Sequence, residues 1–155
     1  MSKKTYQVEL DSANTARAYT ANSNISLKYA TEICREIKGK PISKASKFLE
    51  RILLHEDFLP LRQYNKKVAH RKGESKSGVK AGRFPVKPCK AFITLLESVK
   101  ANADFKGMDA ENLLVIHTFA SQGYRKNSFQ SKGKIAGKRR KRMSTHIEII
   151  VREAK

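Results

Sequence analysis

Apolar positions recur every three to four residues in three stretches of the chain and alternate in two others, and these periods mark out its elements. Leu27, Ala30, Ile33, Cys34 and Ile37 keep helical spacing, which predicts an amphipathic helix with Ser26 as its N-cap. Gly39 offers a left-handed stop and Pro41 prevents resumption. Ala45, Phe48, Leu49, Ile52 and Leu53 form a second stripe, for which Ser43 is the expected cap and "HEDFLPLRQYN" the end. Pro88 suits the first turn of a third helix, whose stripe is Phe92, Leu95, Leu96, Val99 and Ala103 and whose stop is Gly107.

The extended pieces are less evenly marked. "YQVELDSANTARAYTANSNI" is poorly periodic and is expected to hold one strand near Ala16 to Asn22. In "ENLLVIHTFASQGY", Leu113, Val115, His117 and Phe119 alternate with Leu114, Ile116, Thr118 and Ala120, so either set could be the buried one. "HIEIIVRE" places Ile147, Ile149 and Val151 on one face. Between these last strands lies "RKNSFQSKGKIAGKRRKRM", which predicts a hairpin whose arms outrun the core. With a tip near Lys132 to Gly137, each arm projects about eight residues, on the order of 25 Å. Residues 62–84 show no period at all and carry Gly73, Gly78 and Gly82 with Ser75 and Ser77. They read as a long functional loop that orders on a partner.

Charge changes the picture. The formal net charge is +19, and it is segregated. From Arg62 to Lys90 there are ten bases and one acid, Glu74; from Arg125 to Arg142 there are nine bases and no acid. The remainder is nearly neutral. Solvated helix faces normally mix both signs, as "ATEICREIKGK" and "KFLERILLHED" do here. Two segments of one sign repel themselves unless a polyanion neutralises them. Nucleic acid is therefore the expected partner, and the expected contacts are Arg62, Lys66, Lys67, Arg71, Lys72, Lys76, Lys80, Arg83, Lys87, Arg125, Lys126, Lys138, Arg139, Arg140, Lys141 and Arg142. His146 opens the last strand; a strand-end hydrogen bond or a contact with RNA would each explain it.

A chain of 155 residues suits one domain with a true core, and a hydrophobic content of 39% argues against wholesale disorder. No apolar run approaches the ~20 residues that span a bilayer, and "MSKKTYQVEL" lacks the apolar centre of a secretory signal, so a cytoplasmic protein is expected. Cys34 and Cys89 match no C-x-x-C spacing and read as free, small apolar residues of a reducing compartment.

No catalytic constellation is visible. The chain has no G-x-S-x-G, H-E-x-x-H or G-x-x-x-x-G-K-[ST], and its four histidines are too scattered for a zinc site, so neither enzyme nor cofactor is expected. His117 reads as a satisfied histidine at the core or its rim. Asp104, Asp109 and Glu111 sit where helix ends and turns use acids. Tyr64, Phe84, Tyr124 and Phe129 lie among the bases, where they could stack on unpaired nucleotides or anchor the segments to the core.

"SLKYATEICREIKGK", "RQYNKKVAHRKG", "GRFPVKPCKAF", "ESVKANADFKGMD" and "STHIEIIV", in that order, cover nearly the whole chain. The series resembles the universal large-subunit ribosomal protein family called protein twenty-two in bacteria and seventeen in eukaryotes, in its archaeal and eukaryotic branch. That resemblance implies an α+β fold: three helices packed on a small three-stranded antiparallel sheet, the last two strands extended into a long basic hairpin, about 123–146. It implies binding of large-subunit rRNA near the exit of the peptide tunnel, with neighbouring ribosomal proteins as further partners. The hairpin tip, Ser131, Lys132, Gly133, Lys134, Ile135, Ala136 and Gly137, would then contribute to the tunnel wall, within reach of nascent peptide. The tip reads "SKGKIAG" where the family often has Arg-x-x-Gly-Arg, and lysine lacks the guanidinium fork. The rival readings are a DNA-architectural protein with "GKRRKR" as a nuclear address, and an RNA-modifying or RNA-cleaving enzyme.

Overall fold

The structure is a computed structural model and describes residues 6–10, 14–72 and 78–154. In chain order its elements are β1 (Thr15–Ser23), α1 (Leu27–Ile37), α2 (Ile42–Leu53), β2 (Leu59–Pro60), β3 (Gly82–Arg83), α3 (Val86–Phe105), β4 (Leu113–Phe129) and β5 (Arg139–Glu153). The expected α+β arrangement holds: the main sheet is antiparallel with order β1-β5-β4. The last strand is thus the central one.

The helix ends follow from local chemistry. Ser26 is the N-cap of α1 through its extended backbone, its carbonyl accepting the Ala30 N–H at 2.9 Å, while its hydroxyl caps nothing. Gly39 takes φ +76° just past the helix and donates its N–H to Val115 O at 2.8 Å. Val115 N–H returns a bond to Lys40 O at 3.0 Å, so the end of α1 is stitched to β4. The expected cap of α2, Ser43, is corrected: Pro41 is the N-cap, its carbonyl accepting the Ala45 N–H, and Ser43 lies inside the first turn. Proline cannot continue α1, but its fixed φ and free carbonyl suit it to start α2. α3 ends in a left-handed Gly107, with Met108 N–H bonded to Ala103 O. In the turn that follows, the Glu111 N–H and the Asn112 amide hold the Asp109 carboxyl below its ordinary range.

All three helices pack on one face of the sheet. Ala16 and Ala18 of β1 pair with Val151 and Ile149 of β5, and the small alanines leave room for α3 against the strand. Ile33, Ile37, Leu49, Ile52, Phe92 and Leu96 close over Ile147, Ile149 and Val151, all essentially without water contact. Each such large apolar side chain contributes about 1.5–3 kcal/mol by leaving water.

The two-sided alternation in β4 has a structural reason. Leu113 and Val115 are buried, and then the register with β5 shifts: Val115 faces Val151, but His117 faces Ile150. Past that bulge Thr118 and Ala120 turn inward opposite Ile149 and Ile147. One extra residue moves the buried set from odd to even positions, so each half of the strand uses a different one.

One expectation changes. Residues 62–84 are not bare of regular structure: Leu59 and Pro60 pair antiparallel with Arg83 and Gly82, and His70 bridges to Ala81. The Leu61 N–H to Ala81 O and Arg71 N–H to Lys80 O bonds close the same excursion. No period is legible here because the paired runs are only two residues long. The expected long basic hairpin is present, its strands running through the basic residues themselves, β4 to Phe129 and β5 from Arg139.

Candidate nucleic-acid interface

Beyond the core, β4 and β5 continue alone as a two-stranded ribbon. Its register runs from Arg125 opposite Met143 through Lys126–Arg142, Asn127–Lys141 and Ser128–Arg140 to Phe129–Arg139. Gln130 and Lys138 close it, with Gln130 N–H bonded to Lys138 O at 3.1 Å and Gly137 N–H to Gln130 O at 2.8 Å. The tip residues Ser131 to Gly137 form that turn and are all exposed, Gly133 and Gly137 taking the positive φ it requires. Lys134, Ile135 and Ala136 lie between the two glycines, and Lys132 just before the first. Arg125, Lys126 and the run from Lys138 to Arg142 are exposed, and among the described residues none of their charges has a carboxylate within ion-pair distance.

A small polar clamp holds the ribbon's root. Asn22, at φ +52°, accepts the Tyr124 N–H at 3.3 Å and the Ser144 hydroxyl at 2.9 Å on its side-chain oxygen. Its own N–H donates to His146 Nδ1 at 3.2 Å, and the His146 ring stacks on Tyr19 at 5.7 Å. Both partner strands are irregular at this point, β1 between Thr20 and Ser23 and β4 between Gln122 and Arg125. Gly123 sits at the centre: a Cβ there would lie 2.6 Å from both Asn22 Oδ1 and Ser144 Oγ. Of the two readings of His146, the strand-end hydrogen bond is present in the structure.

The second basic segment is held differently. Glu32, buried on α1, accepts the Gln63 and Tyr64 N–H groups on one oxygen at 2.7 and 3.0 Å. Arg62 pairs with Glu36 at 3.2 Å. Arg71 donates Nε–H to Gly82 O at 3.0 Å and lies over the Phe84 ring. Gly82 admits no side chain, because the Phe58 ring covers the position of its Cβ. Arg62 and Arg71 thus have internal partners, whereas Lys66, Lys67, Lys72, Lys80 and Lys87 are exposed and Arg83 is half-buried. Lys76 lies outside the described residues, as does Glu74.

The structure brings the candidate bases into two groups, and it separates the four aromatic residues. Tyr64 and Phe84 are half-buried against Lys28 and against Arg71 and His55, so they anchor. Tyr124 and Phe129 are 65% and 66% exposed and point outward. Glu32, Glu36 and Asn22 were not singled out by sequence, because an acid on a mixed-charge helix and an Asn at the end of a strand carry no mark of distant partners. Gly123 could have been: a lone glycine inside a strand pattern signals a bulge or a close approach.

On the far face of the sheet a second buried acid has the same use. Glu148 accepts the Gln7 N–H and is 2.9 Å from His117 Nε2, which accounts for His117 as a satisfied rim histidine. Tyr6 packs edge-on to Tyr19 beside it, and burial raises both phenol pKa values. No helix among the described residues is long and apolar enough to cross a membrane.

Comparison with known proteins places this architecture. The family described as ribosomal protein L22p/L17e matches residues 18–152. The large ribosomal subunit protein uL22 of Methanococcus vannielii is 37% identical over 153 residues, spanning 99% of this chain and 99% of that protein. Its counterpart from Ignicoccus hospitalis is 38% identical over 148 residues, 94% of this chain and 92% of that protein. The one from Methanopyrus kandleri is 37% identical over 145 residues, 94% and 91%. The matched span takes in the sheet, the three helices, the anchored basic segment and the bare ribbon together, and the chain belongs to the ribosomal protein L22p/L17e family.

Proposed function

We propose that this protein is a structural, non-enzymatic constituent of the large ribosomal subunit and that it works in the cytoplasm by binding large-subunit rRNA. The observation that carries this reading is the ribbon: nine bases from Arg125 to Arg142 on an extension with no acid of its own. Such an arm is self-repelling and marginal in water, and it becomes favourable when phosphates surround it. The chain acts as a single rRNA-binding domain in which the core fixes the angle of two basic devices. The segment at 62–84 presents Lys66, Lys67, Lys72 and Lys80 on a surface already anchored by Glu32. The hairpin, about 123–146, threads between RNA segments, with Lys126 and Lys138 to Arg142 on phosphates. Phosphate contacts position without reading sequence, so recognition comes from RNA shape. The tip, Ser131 to Gly137, reaches furthest and is the part suited to line the peptide tunnel near its exit and meet nascent chains. Neighbouring large-subunit proteins are the other partners.

Cosedimentation of the endogenous protein with large subunits at ~0.5 M salt tests this, because a contact made through a few phosphates alone is lost there. Retention on the subunit is expected. Recovery in free or DNA-bound fractions would favour the DNA-architectural reading, and cleavage or a mass change of labelled rRNA on incubation would favour an enzyme.

A further inference from the structure

The ribbon has two chemically different faces. Antiparallel partners share a face, and neighbours along a strand point to opposite faces. One face therefore carries Arg125 with Met143, Asn127 with Lys141 and Phe129 with Arg139. The other carries Lys126 with Arg142 and Ser128 with Arg140. Both are basic. Within the regular register from Arg125 to Phe129, only the first bears large apolar groups, Phe129 and the 52% exposed Met143, while Tyr124 lies at the irregular root. It continues outward the same stripe of β5 that supplies Ile147, Ile149 and Val151 to the core.

The Arg139 guanidinium lies 5.9 Å from the Phe129 ring centroid. That cross-strand pair supports the ribbon, but it leaves the ring two-thirds in water, so pairing with Arg139 does not use up the ring. Tyr64 and Phe84, the aromatics of the other basic segment, are packed against the body; Phe129 is not. An exposed flat ring and a guanidinium plane, with Lys141 and Arg125 on the same face, match a ligand that is both flat and anionic. An acidic polypeptide supplies the charge without the plane. A fully paired duplex supplies phosphates but keeps its base faces stacked inside.

We propose that the Phe129–Arg139 face of the hairpin holds an unpaired nucleotide of rRNA, its base stacked on the ring and its phosphate near Lys141 or Arg125, while the Lys126–Arg140–Arg142 face takes phosphates alone. This rests on the rRNA-binding reading above and adds to it a stacking subsite with its own residues. Stacking on an aromatic side chain is insensitive to which base is present, because every base has a π-face.

The chain contains no tryptophan, so Phe129→Trp places a sole indole at the subsite. In the full-length protein, a single-stranded RNA oligonucleotide quenches this fluorescence, while a fully paired duplex of equal length and polyglutamate leave it unchanged. Phe129→Leu lowers affinity for protein-free large-subunit RNA roughly tenfold. It does so with an unchanged dependence on salt, and Phe129→Tyr restores the affinity. Lys126→Gln with Arg140→Gln does the reverse: added to the Phe129→Trp variant it retains the quenching, and it reduces the salt slope by about one per lost phosphate contact. Salt-dependent RNA binding without quenching, or with Phe129→Leu equal to the parent, overturns the stacking subsite and leaves the proposed function standing. Equal quenching by duplex or polyglutamate also overturns it. Failure to bind any RNA overturns both.

Discussion

Arg62 and Arg71, in one basic segment, have partners in the body of the protein; Arg140 and Arg142, in the other, have none for their side chains among the described residues. The two regions carry similar charge, and the difference lies in where the acids are. Glu32 and Glu36 stand one helical turn apart on α1 and hold the start of the 62–84 segment through its backbone and through Arg62. A carboxylate that accepts two backbone N–H groups fixes the path of a chain, and its bases are then presented at defined positions. The hairpin has no such anchor beyond its root among the described residues. Its clamp of Asn22, Ser144 and His146 sets the direction of the ribbon and leaves the rest to its partner.

Breaking the anchor of the first region gives the largest expected effect. Glu32→Ala leaves the Gln63 and Tyr64 N–H groups without their acceptor, and equilibrium urea unfolding should show a loss of about 3 kcal/mol. Amide exchange at 63–72 should rise with it while the hairpin is unchanged. Breaking the root of the second costs less. Gly123→Ala pushes a Cβ into Asn22 Oδ1 and Ser144 Oγ, an overpacking expected to cost about 1.5 kcal/mol. Its exchange signature is confined to Tyr124 and the neighbouring ribbon, with Gln63 and Tyr64 still protected.

Unaltered protein sharpens the same contrast. Without RNA, amides from Arg125 to Arg142 should exchange far faster than those of Ile147 to Val151 in the core, because an isolated two-stranded ribbon is marginal. Strong protection along the whole ribbon would show that it needs no polyanion. Neutralising three of Lys138, Arg139, Arg140, Lys141 and Arg142 to glutamine should change unfolding stability by no more than about half a kcal/mol, as exposed substitutions do. The same variant should assemble poorly into large subunits.

The smallest effect is a control on the core. Burial pushes the Cys34 and Cys89 thiols up from 9.0 to about 12, and the Cys34 sulfur also accepts the Thr118 hydroxyl at 3.1 Å. Since the folded pKa is raised, this contribution to stability is intact below pH 9 and is lost as pH climbs towards 12, where the unfolded thiols ionise and the folded ones do not. At pH 8 neither thiol should react with a thiol reagent before unfolding, and the Gly123→Ala and hairpin-neutralised variants should not change that.

The helices, the strands of the main sheet and the segregation of charge were all legible along the chain. They depend on residues two, three or four positions apart, and such spacings act through local backbone geometry. The breaks at Gly39, Pro41 and Gly107 were legible too, because φ restrictions belong to the residue itself. Folding in three dimensions was needed to place β5 between β1 and β4, to let both alternations in β4 reach the core through the bulge after Val115, and to displace Ser43 by Pro41 as a cap. It alone paired Glu32 with Gln63 and Glu148 with Gln7, contacts 31 and 141 residues apart. No local period encodes a bond of that separation. It is fixed when apolar burial brings the elements together and a buried carboxylate must find a donor.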